Sequence, residues 1–522
     1  MTQTSATPFT TQVFNDWLGD RYWTPSTLTF SFPTSGSFYS YQSTNAVTSL
    51  SEAQKNAVRR TLEEIESFTG LNFVEVTETN STEATLRFAK EFGLGGAYAY
   101  LPTVLEQGGD VFFGSGTTNP TPGNEAYLYF THEIGHAMGL NHGHEFPAFV
   151  ASGFDSQEYT VVTYTDYVGD TDTFSFDSGP IDWAQSYMQL DIAALQFMYG
   201  ANYSSTGEIW SGNSVYTFNP LTGEMSINGV GQGAPAGNKI FRTIWDGNGN
   251  DTYDLSNYSD DLDIDLAPGA FSTFSQSQIA DLYQPAPGTE LAAGNIANAL
   301  LVGGDTRALI ENAIGGSGWD SITGNEADNI LTGNGGRDVL IGLDGDDRLV
   351  GNAGRDKLKG GADKDRLIGG NGNDDLRGGS ERDILSGGNK DDILMGQSGN
   401  DTLNGGAGND LLNGGRGRDI LIGGSGDDEF VFTSVHDSPQ GNHADIIRDF
   451  VSGDDQINLQ GISAGTLALS IGGSFDGINA MMITKQKGAD LIVQADVDGD
   501  GTSDFKLTLE NVSSVSASDF LL

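Results

Sequence analysis

The sequence predicts an α+β domain followed by an all-β parallel roll, and three features of its 522 residues predict it. Residues 51–70, "SEAQKNAVRRTLEEIESFTG", place apolar or small residues at helical spacing, and "LNFVEVTE" then alternates as a strand does. His132 to His142, "HEIGHAMGLNH", has the spacing of a helix that ends in a turn. From Gly315 onward a nine-residue period replaces this mixed texture.

In the first domain, Ser51 is a helix cap and Gly70 a stop, so residues between them form an amphipathic helix. On a second helix His132 and His136, at i and i+4, lie on one face, and both imidazoles reach one metal. Gly139 lets the chain leave that helix and bring His142 back as a third ligand. Three histidines leave one position of a tetrahedral zinc open for water, the arrangement of a catalytic site. Glu133, next to that water, is the expected general base: it takes the water's proton and hands it to the leaving amine, while zinc polarises the scissile carbonyl.

The period from Gly315 holds thirteen consecutive units, the last beginning at Gly423. The sixth position is Asp320, Asp338, Asp347, Asp356, Asp365, Asp374, Asp383, Asp392, Asp401, Asp410, Asp419 and Asp428, with Asn329 the one exception. The eighth is always apolar, from Ile322 through a run of leucines to Phe430. Glycines at the first, second and often fourth positions permit tight turns whose carbonyls converge, and the Asp carboxylates supply the charge that several calcium ions require. Stacked units point the eighth side chain inward from short strands, which makes a parallel roll with an apolar axis. Ala327, Asp363, Glu381 and Lys390 stand where the fourth glycine belongs, so some turns are expected to bind calcium weakly or to be bridged by Lys and Arg.

Composition narrows the partners. Lys plus Arg total 25 against 71 Asp plus Glu, a net charge of −46, which disfavours nucleic acid and anionic membranes and favours cations. With 37% hydrophobic and 10% aromatic residues the chain is expected to fold. Cysteine is absent, so a transition metal must be held by carboxylates and the six histidines. The opening "MTQTSATPFTTQVFNDW" lacks a basic and an apolar region, and no run of about 18 apolar residues occurs, so neither an N-terminal signal nor a membrane span is expected. "DVDGDGTSD", Asp496 to Asp504, has the carboxylate spacing of a calcium loop, yet Leu507 replaces the closing Glu; a weak calcium site and a plain acidic turn both fit.

The pattern H-E-x-x-H-x-x-G-x-x-H resembles that of the metzincin metalloproteases, and "THEIGHAMGLNH" followed by the nine-residue array is similar to the serralysin family in particular. "DWLGDRYW", "GGAYAYLP" with "GGDVFF", "LDIAALQFMYGAN" and "DIIRDFVSGDDQINLQGI" resemble that family's lead-in, substrate-side strands, closing helix and C-terminal part. The units resemble the RTX nonapeptide G-G-x-G-x-D-x-U-x, best seen in "GGNGNDDLR" and "GGAGNDLLN". "DGNGNDTYD", from Asp246, resembles an outlying copy. The resemblance implies an α+β metzincin-like zinc protease domain over residues 1–203, a connecting β region over 204–314, an RTX β-roll with a sandwich-like surround over 315–432 and a C-terminal β cap over 433–522.

It also implies a Met-turn beneath the zinc and a tyrosine that binds the metal or steadies the oxyanion. The corresponding stretch here is "TVVTY": Val162 stands where Met is expected, Thr160 and Thr163 replace serines, and Tyr164 keeps the tyrosine position; a buried core tyrosine is the alternative for Tyr164. A branched Val fills only part of the space of a Met, so a less rigid zinc site is expected. "HGH" replaces the family's more common "HPG". The ending "ASDFLL" resembles the uncleaved signal of type I secretion, which implies export through that machinery; the clustered aspartates repel one another when calcium is scarce inside the cell and fold once calcium screens them outside, and a monomer is expected. The expected function is a secreted zinc endopeptidase acting on protein or peptide substrates. The competing expectation, motivated by Val162, is a calcium-dependent extracellular binding protein whose zinc domain is catalytically impaired. An RTX lipase is set aside, because no G-x-S-x-G occurs.

Overall fold

The computed structural model describes residues 21–41, 46–79, 82–146, 149–150, 152–170, 177–204, 212–441, 443–463 and 467–522; the first part of "DWLGDRYW" lies outside them. The chain forms two compact units, the first made of residues 1–253 and 267–310, the second of residues 254–266 and 311–522. The connecting segment drawn from sequence, 204–314, is therefore divided between the two.

The first unit is built on a sheet whose spatial order is β2 (Asn72–Glu75), β1 (Thr27–Ser31), β3 (Leu86–Glu91), β5 (Asp110–Phe113) and β4 (Ala97–Ala99). All neighbours on this path are parallel except β4, which runs antiparallel to β5 at one edge. Helix α1 (Glu52–Phe68) starts where Ser51 predicts: its Oγ accepts from Gln54 N, and the Gln54 side chain accepts from Ser51 N. Its Val58, Leu62 and Ile65 are at most 1% exposed and share one core with Leu28, Phe88 and Phe113 of the sheet. Helices α2 (Glu125–Ala137) and α3 (Gln189–Tyr199) join that core, with Phe130 of α2 stacked on Phe113 at 4.0 Å between ring centroids.

Arg87 and Asp110 lie on neighbouring strands of this sheet and are 2% and 0% exposed. The guanidinium grips the carboxylate through two bonds, of 2.7 and 2.8 Å, and donates to the carbonyls of Phe38 and Glu106 as well. Tyr41 donates to the same carboxylate. Every charge in this cluster is answered.

In the second unit the nine-residue period becomes a two-sheeted roll. Strands Ile330–Gly336, Arg348–Gly354, Arg366–Asn371, Ile384–Asn389, Thr402–Ala407 and Ile420–Ser425 pair in parallel on one side. The intervening strands, Val339–Leu343 through Leu411–Gly417, pair in parallel on the other. Each residue therefore sits over its equivalent two units on, as Leu349 over Leu367 over Leu385. All thirteen eighth-position side chains are at most 1% exposed, which gives the roll its apolar axis. Asp263–Asp265 adds a strand by pairing with Ser321–Thr323, and Phe520–Leu521 adds another by pairing with Gln456–Asn458. An antiparallel meander, Met481–Lys487, Asp490–Asp496 and Phe505–Leu509, completes the C-terminal end.

Truncating Arg87 strands a buried carboxylate. Arg87→Ala is expected to destabilise the first unit by about 3–5 kcal/mol, read as a fall in the urea midpoint of its tryptophan fluorescence.

Candidate metal and catalytic site

The site grows from α2, whose N-terminus is capped by Asn124 Oδ1 accepting from Tyr127 N at 2.9 Å. Gly135 lies between the two helical histidines, and a Cβ there would come within 3.0 Å of Val162 Cγ2. Past the helix, Gly139 takes φ +108°, a conformation glycine adopts without strain, and Leu140 N donates to Gly135 O. The reversal carries His142 back over the helix.

His132, His136 and His142 meet through their Nε2 atoms, 3.1–3.2 Å apart on every side of the triangle. His132 Nδ1 lies 2.8 Å from Val161 O, and His136 Nδ1 lies 2.7 Å from Leu140 O. A carbonyl only accepts, so both Nδ1 atoms carry hydrogens and both Nε2 atoms present lone pairs. Burial holds His132 well below the usual imidazole range, and pushes His136 and His142 down to about 4. Neutral rings with converging lone pairs repel one another and suit a cation. Zinc–nitrogen bonds of about 2.0–2.1 Å at tetrahedral angles would set the nitrogens about 3.3–3.4 Å apart, close to the spacing seen.

Glu133 is 6% exposed, and its carboxyl accepts from the Ala99 backbone on edge strand β4. Burial pushes this carboxyl up to about 8. Tyr164 stacks on His132 with ring centroids 5.6 Å apart and tilts over His142 at 4.6 Å. Its hydroxyl is raised above the ordinary range by burial first and by the charges of Glu133 and Glu145 next. The structure thus brings His132, Glu133, His136, His142 and Tyr164 together. His144 lies beside them, its ring 5.0 Å from that of His142.

Residues 205–522 match the family model described as Peptidase M10 serralysin C terminal, and residues 34–143 match the metallo-peptidase family M12B, reprolysin-like. The chain belongs to the serralysin family. Serralysin of Proteus mirabilis is 31% identical over 58% of this chain and 60% of its own length. Metallopeptidase AprA of Pseudomonas marginalis is 32% identical over 45% of this chain and 46% of its own, and serralysin C of Dickeya chrysanthemi 33% over 43% and 42%. The chain spans about 60% or less of the length of these curated relatives.

Within this serralysin-family chain, the turn that departs from the family pattern is held by a residue that the sequence did not single out. Asp191, 0% exposed at the third position of α3, accepts from Thr160 Oγ1 at 2.6 Å, Val161 N at 2.8 Å and Met188 N at 2.9 Å. Thr160 Oγ1 in turn accepts from Val162 N at 3.0 Å, so Asp191 holds the peptide whose carbonyl orients His132 through Thr160, and the peptide before it directly. Val162, 0% exposed, packs under α2 at the Gly135 gap. The one local sign of Asp191 is an acidic residue in a helix's first turn, which says nothing about Val161.

The roll aspartates share one geometry. From Asp338 to Asp428, Oδ1 accepts the backbone N–H of the sixth-position residue two units earlier, as Asp365 Oδ1 does from Asp347 N at 3.0 Å. In Asp338, Asp347, Asp356, Asp365, Asp374, Asp383, Asp392, Asp401, Asp410 and Asp419, Oδ2 is buried without a hydrogen-bond partner. Asp320 differs, its two oxygens taken by Leu262 N and Gly316 N. In the 496–504 loop, Asp496 accepts from Gly499 N and Gly501 N, and Asp504 from Val497 N, while carboxylate oxygens of Asp496, Asp498 and Asp504 lie within 4.8 Å of one another, an arrangement that fits both an acidic turn and a weak calcium site. His436 and His443 belong to the exposed surface of the second unit.

Asp191→Ala would leave three buried donors unanswered and is expected to cost at least about 3 kcal/mol, whereas Asp191→Asn, which keeps an acceptor there, costs less. Paired urea titrations measure the difference.

Proposed function

We propose that this chain is a secreted zinc-dependent endopeptidase that hydrolyses peptide bonds in extended segments of protein substrates. The observation that carries the reading is the triangle of Nε2 lone pairs with Glu133 at its side. His132, His136 and His142 would hold zinc, which would supply Lewis acidity for the scissile carbonyl and the attacking water. Glu133, raised by burial but drawn back to its carboxylate form by a dication beside it, takes the proton of the attacking water and passes it to the leaving amine. Its Ala99 contact sets this carboxylate beside the free edge of β4, where an extended substrate can pair its backbone. Tyr164, whose raised pKa keeps the hydroxyl protonated near neutral pH, donates to the oxyanion as it develops on the carbonyl.

Calcium folds the roll in the same reading. The buried Oδ2 atoms cannot stay charged and unanswered, and a hard dication with oxygen ligands answers them. Ten of the twelve sixth-position aspartates fit this role by an orphan oxygen, whereas both oxygens of Asp320 already accept backbone N–H groups. Asp519 and Phe520, in the stretch that resembles a type I secretion signal, are 1% and 6% exposed. That stretch is readable by the export machinery only in the unfolded chain, so low calcium inside the cell keeps it readable and high calcium outside folds it away.

Cleavage of casein by the calcium-refolded chain tests the proposal. Glu133→Ala is expected to lower kcat/KM by at least about 100-fold, and Tyr164→Phe to lower kcat by about 10–1000-fold with KM little changed. Activity stripped by a chelator returns with zinc. Stoichiometric zinc without cleavage would make the domain a metal-holding shell.

The roll's pH dependence is a separate check. Burial lifts the carboxyls of Asp374, Asp383 and Asp410 from 3.8 to about 6, those of Asp338, Asp347 and Asp419 to about 7, and those of Asp365, Asp392 and Asp401 to about 8. A carboxyl raised in the folded state stabilises the fold when protonated. That contribution is complete below about pH 4 and is lost as pH rises through about 6 to 8. With calcium chelated, far-UV circular dichroism of the roll should therefore weaken as pH rises from about 5 to 8; with calcium bound the dependence reverses, because protons then displace the ion.

A further inference from the structure

We propose that the cavity bounded by Arg60, Glu64, Phe68, Arg242 and Trp245 binds a small molecule carrying a carboxylate beside an N–H donor, the chemistry of an α-amino acid. The cavity, of about 350 Å³, lies wholly within the first unit, and none of His132, Glu133, His136, His142 or Tyr164 lines it.

Arg242 carries the inference. Its Nε is buried without a hydrogen-bond partner, and desolvation pushes the guanidinium down to about 10. The charged and titratable groups acting on it are Glu64, Arg60, Tyr127 and Tyr216, and Glu63 also lines the cavity. Glu64 Oε1 is already taken by Tyr187 N at 2.7 Å, and one Arg60 nitrogen by Gln232 O at 2.8 Å. Trp245 adds a second buried donor, its Nε1, also without a partner. The same unit shows what a structural guanidinium looks like: Arg87 is answered by a bidentate carboxylate and two carbonyls. A buried Nε–H that faces nothing costs stability, so its retention in a half-buried guanidinium beside a cavity points to an oxyanion from outside.

The surroundings select among oxyanions. Glu64 repels a second negative charge and attracts an N–H donor, which disfavours a dianion and favours a carboxylate with an adjacent amine or amide. Phe68, Ile192, Met225 and Ile244 supply an apolar wall for an aliphatic side chain. The volume admits a single amino acid or the carboxyl end of a short peptide.

Isothermal titration calorimetry of the full chain in calcium buffer, with L-leucine, N-acetyl-L-leucine, L-leucinamide and inorganic phosphate as probes, tests this. Leucine is expected to bind saturably and leucinamide, which lacks the carboxylate, not to bind. Binding of N-acetyl-leucine would identify a peptide's carboxyl end as an accepted form; its failure would assign the free amino acid. Arg242→Gln should weaken leucine binding at least about tenfold while keeping or raising the melting temperature of the ligand-free chain, because a desolvated charge is removed. A merely structural Arg242 gives the opposite: a lower melting temperature or no folded chain. That outcome, equal binding of leucinamide, preference for phosphate, leucine affinity unchanged in Arg242→Gln, or no leucine binding up to about 10 mM would each overturn the proposal.

Discussion

Two backbone carbonyls decide what the histidine triangle can be. Val161 O and Leu140 O occupy Nδ1 of His132 and His136, which fixes the tautomers and turns the lone pairs inward. Much of the surrounding architecture serves those two contacts. Asp191 holds Val161 N and, through Thr160 Oγ1, Val162 N, and the Gly139 reversal aims Leu140 O at His136. The lack of a side chain at Gly135 lets Val162 come up under the helix. At this turn the packing under the helix comes from Val162, and the backbone is held by Asp191 together with Thr160.

The roll meets the same constraint by repetition. Stacking at two-unit intervals gives the Oδ1 of Asp338 through Asp428 a backbone donor and leaves the Oδ2 of ten aspartates, Asp338 through Asp419, buried with none. Apolar side chains along the axis favour the stack, while carboxylates along the turns oppose it unless something neutralises them. The balance between those terms is what lets such a region respond to a cation or to protons instead of folding regardless of either.

Both features were legible in sequence because each is a strict spacing. Histidines at i, i+4 and i+10 around a glycine, and a nine-residue register held over thirteen units, leave little freedom once helix and turn geometry are applied. Asp191 was not legible, since its partners Thr160 and Val161 sit about thirty residues away in an irregular loop with no period. The domain border was hidden for a similar reason. Asp263–Asp265 joins the roll by pairing with Ser321–Thr323, yet three residues without the flanking glycines carry no repeat signal, and residues 267–310 return to the first unit. Tyr164 was placed by resemblance alone; its stacking on His132 depends on the path of the whole loop from His142.

Arg87 and Arg242 separate the two uses to which this fold puts a guanidinium. Around Arg87, with Glu83 Oε1 accepting at 3.3 Å beside Asp110, Phe38 O and Glu106 O, each of the five N–H groups has an acceptor, so the cluster resists change. Arg242 keeps its Nε buried and unanswered. The histidine triangle and the roll aspartates display the mirror image, acceptors without donors. A folded chain of marginal stability retains such groups at a cost, and in each place the missing partner has one sign: a cation where lone pairs converge, an anion where N–H groups do. The sign of the unanswered group therefore identifies the class of ligand before its identity is known.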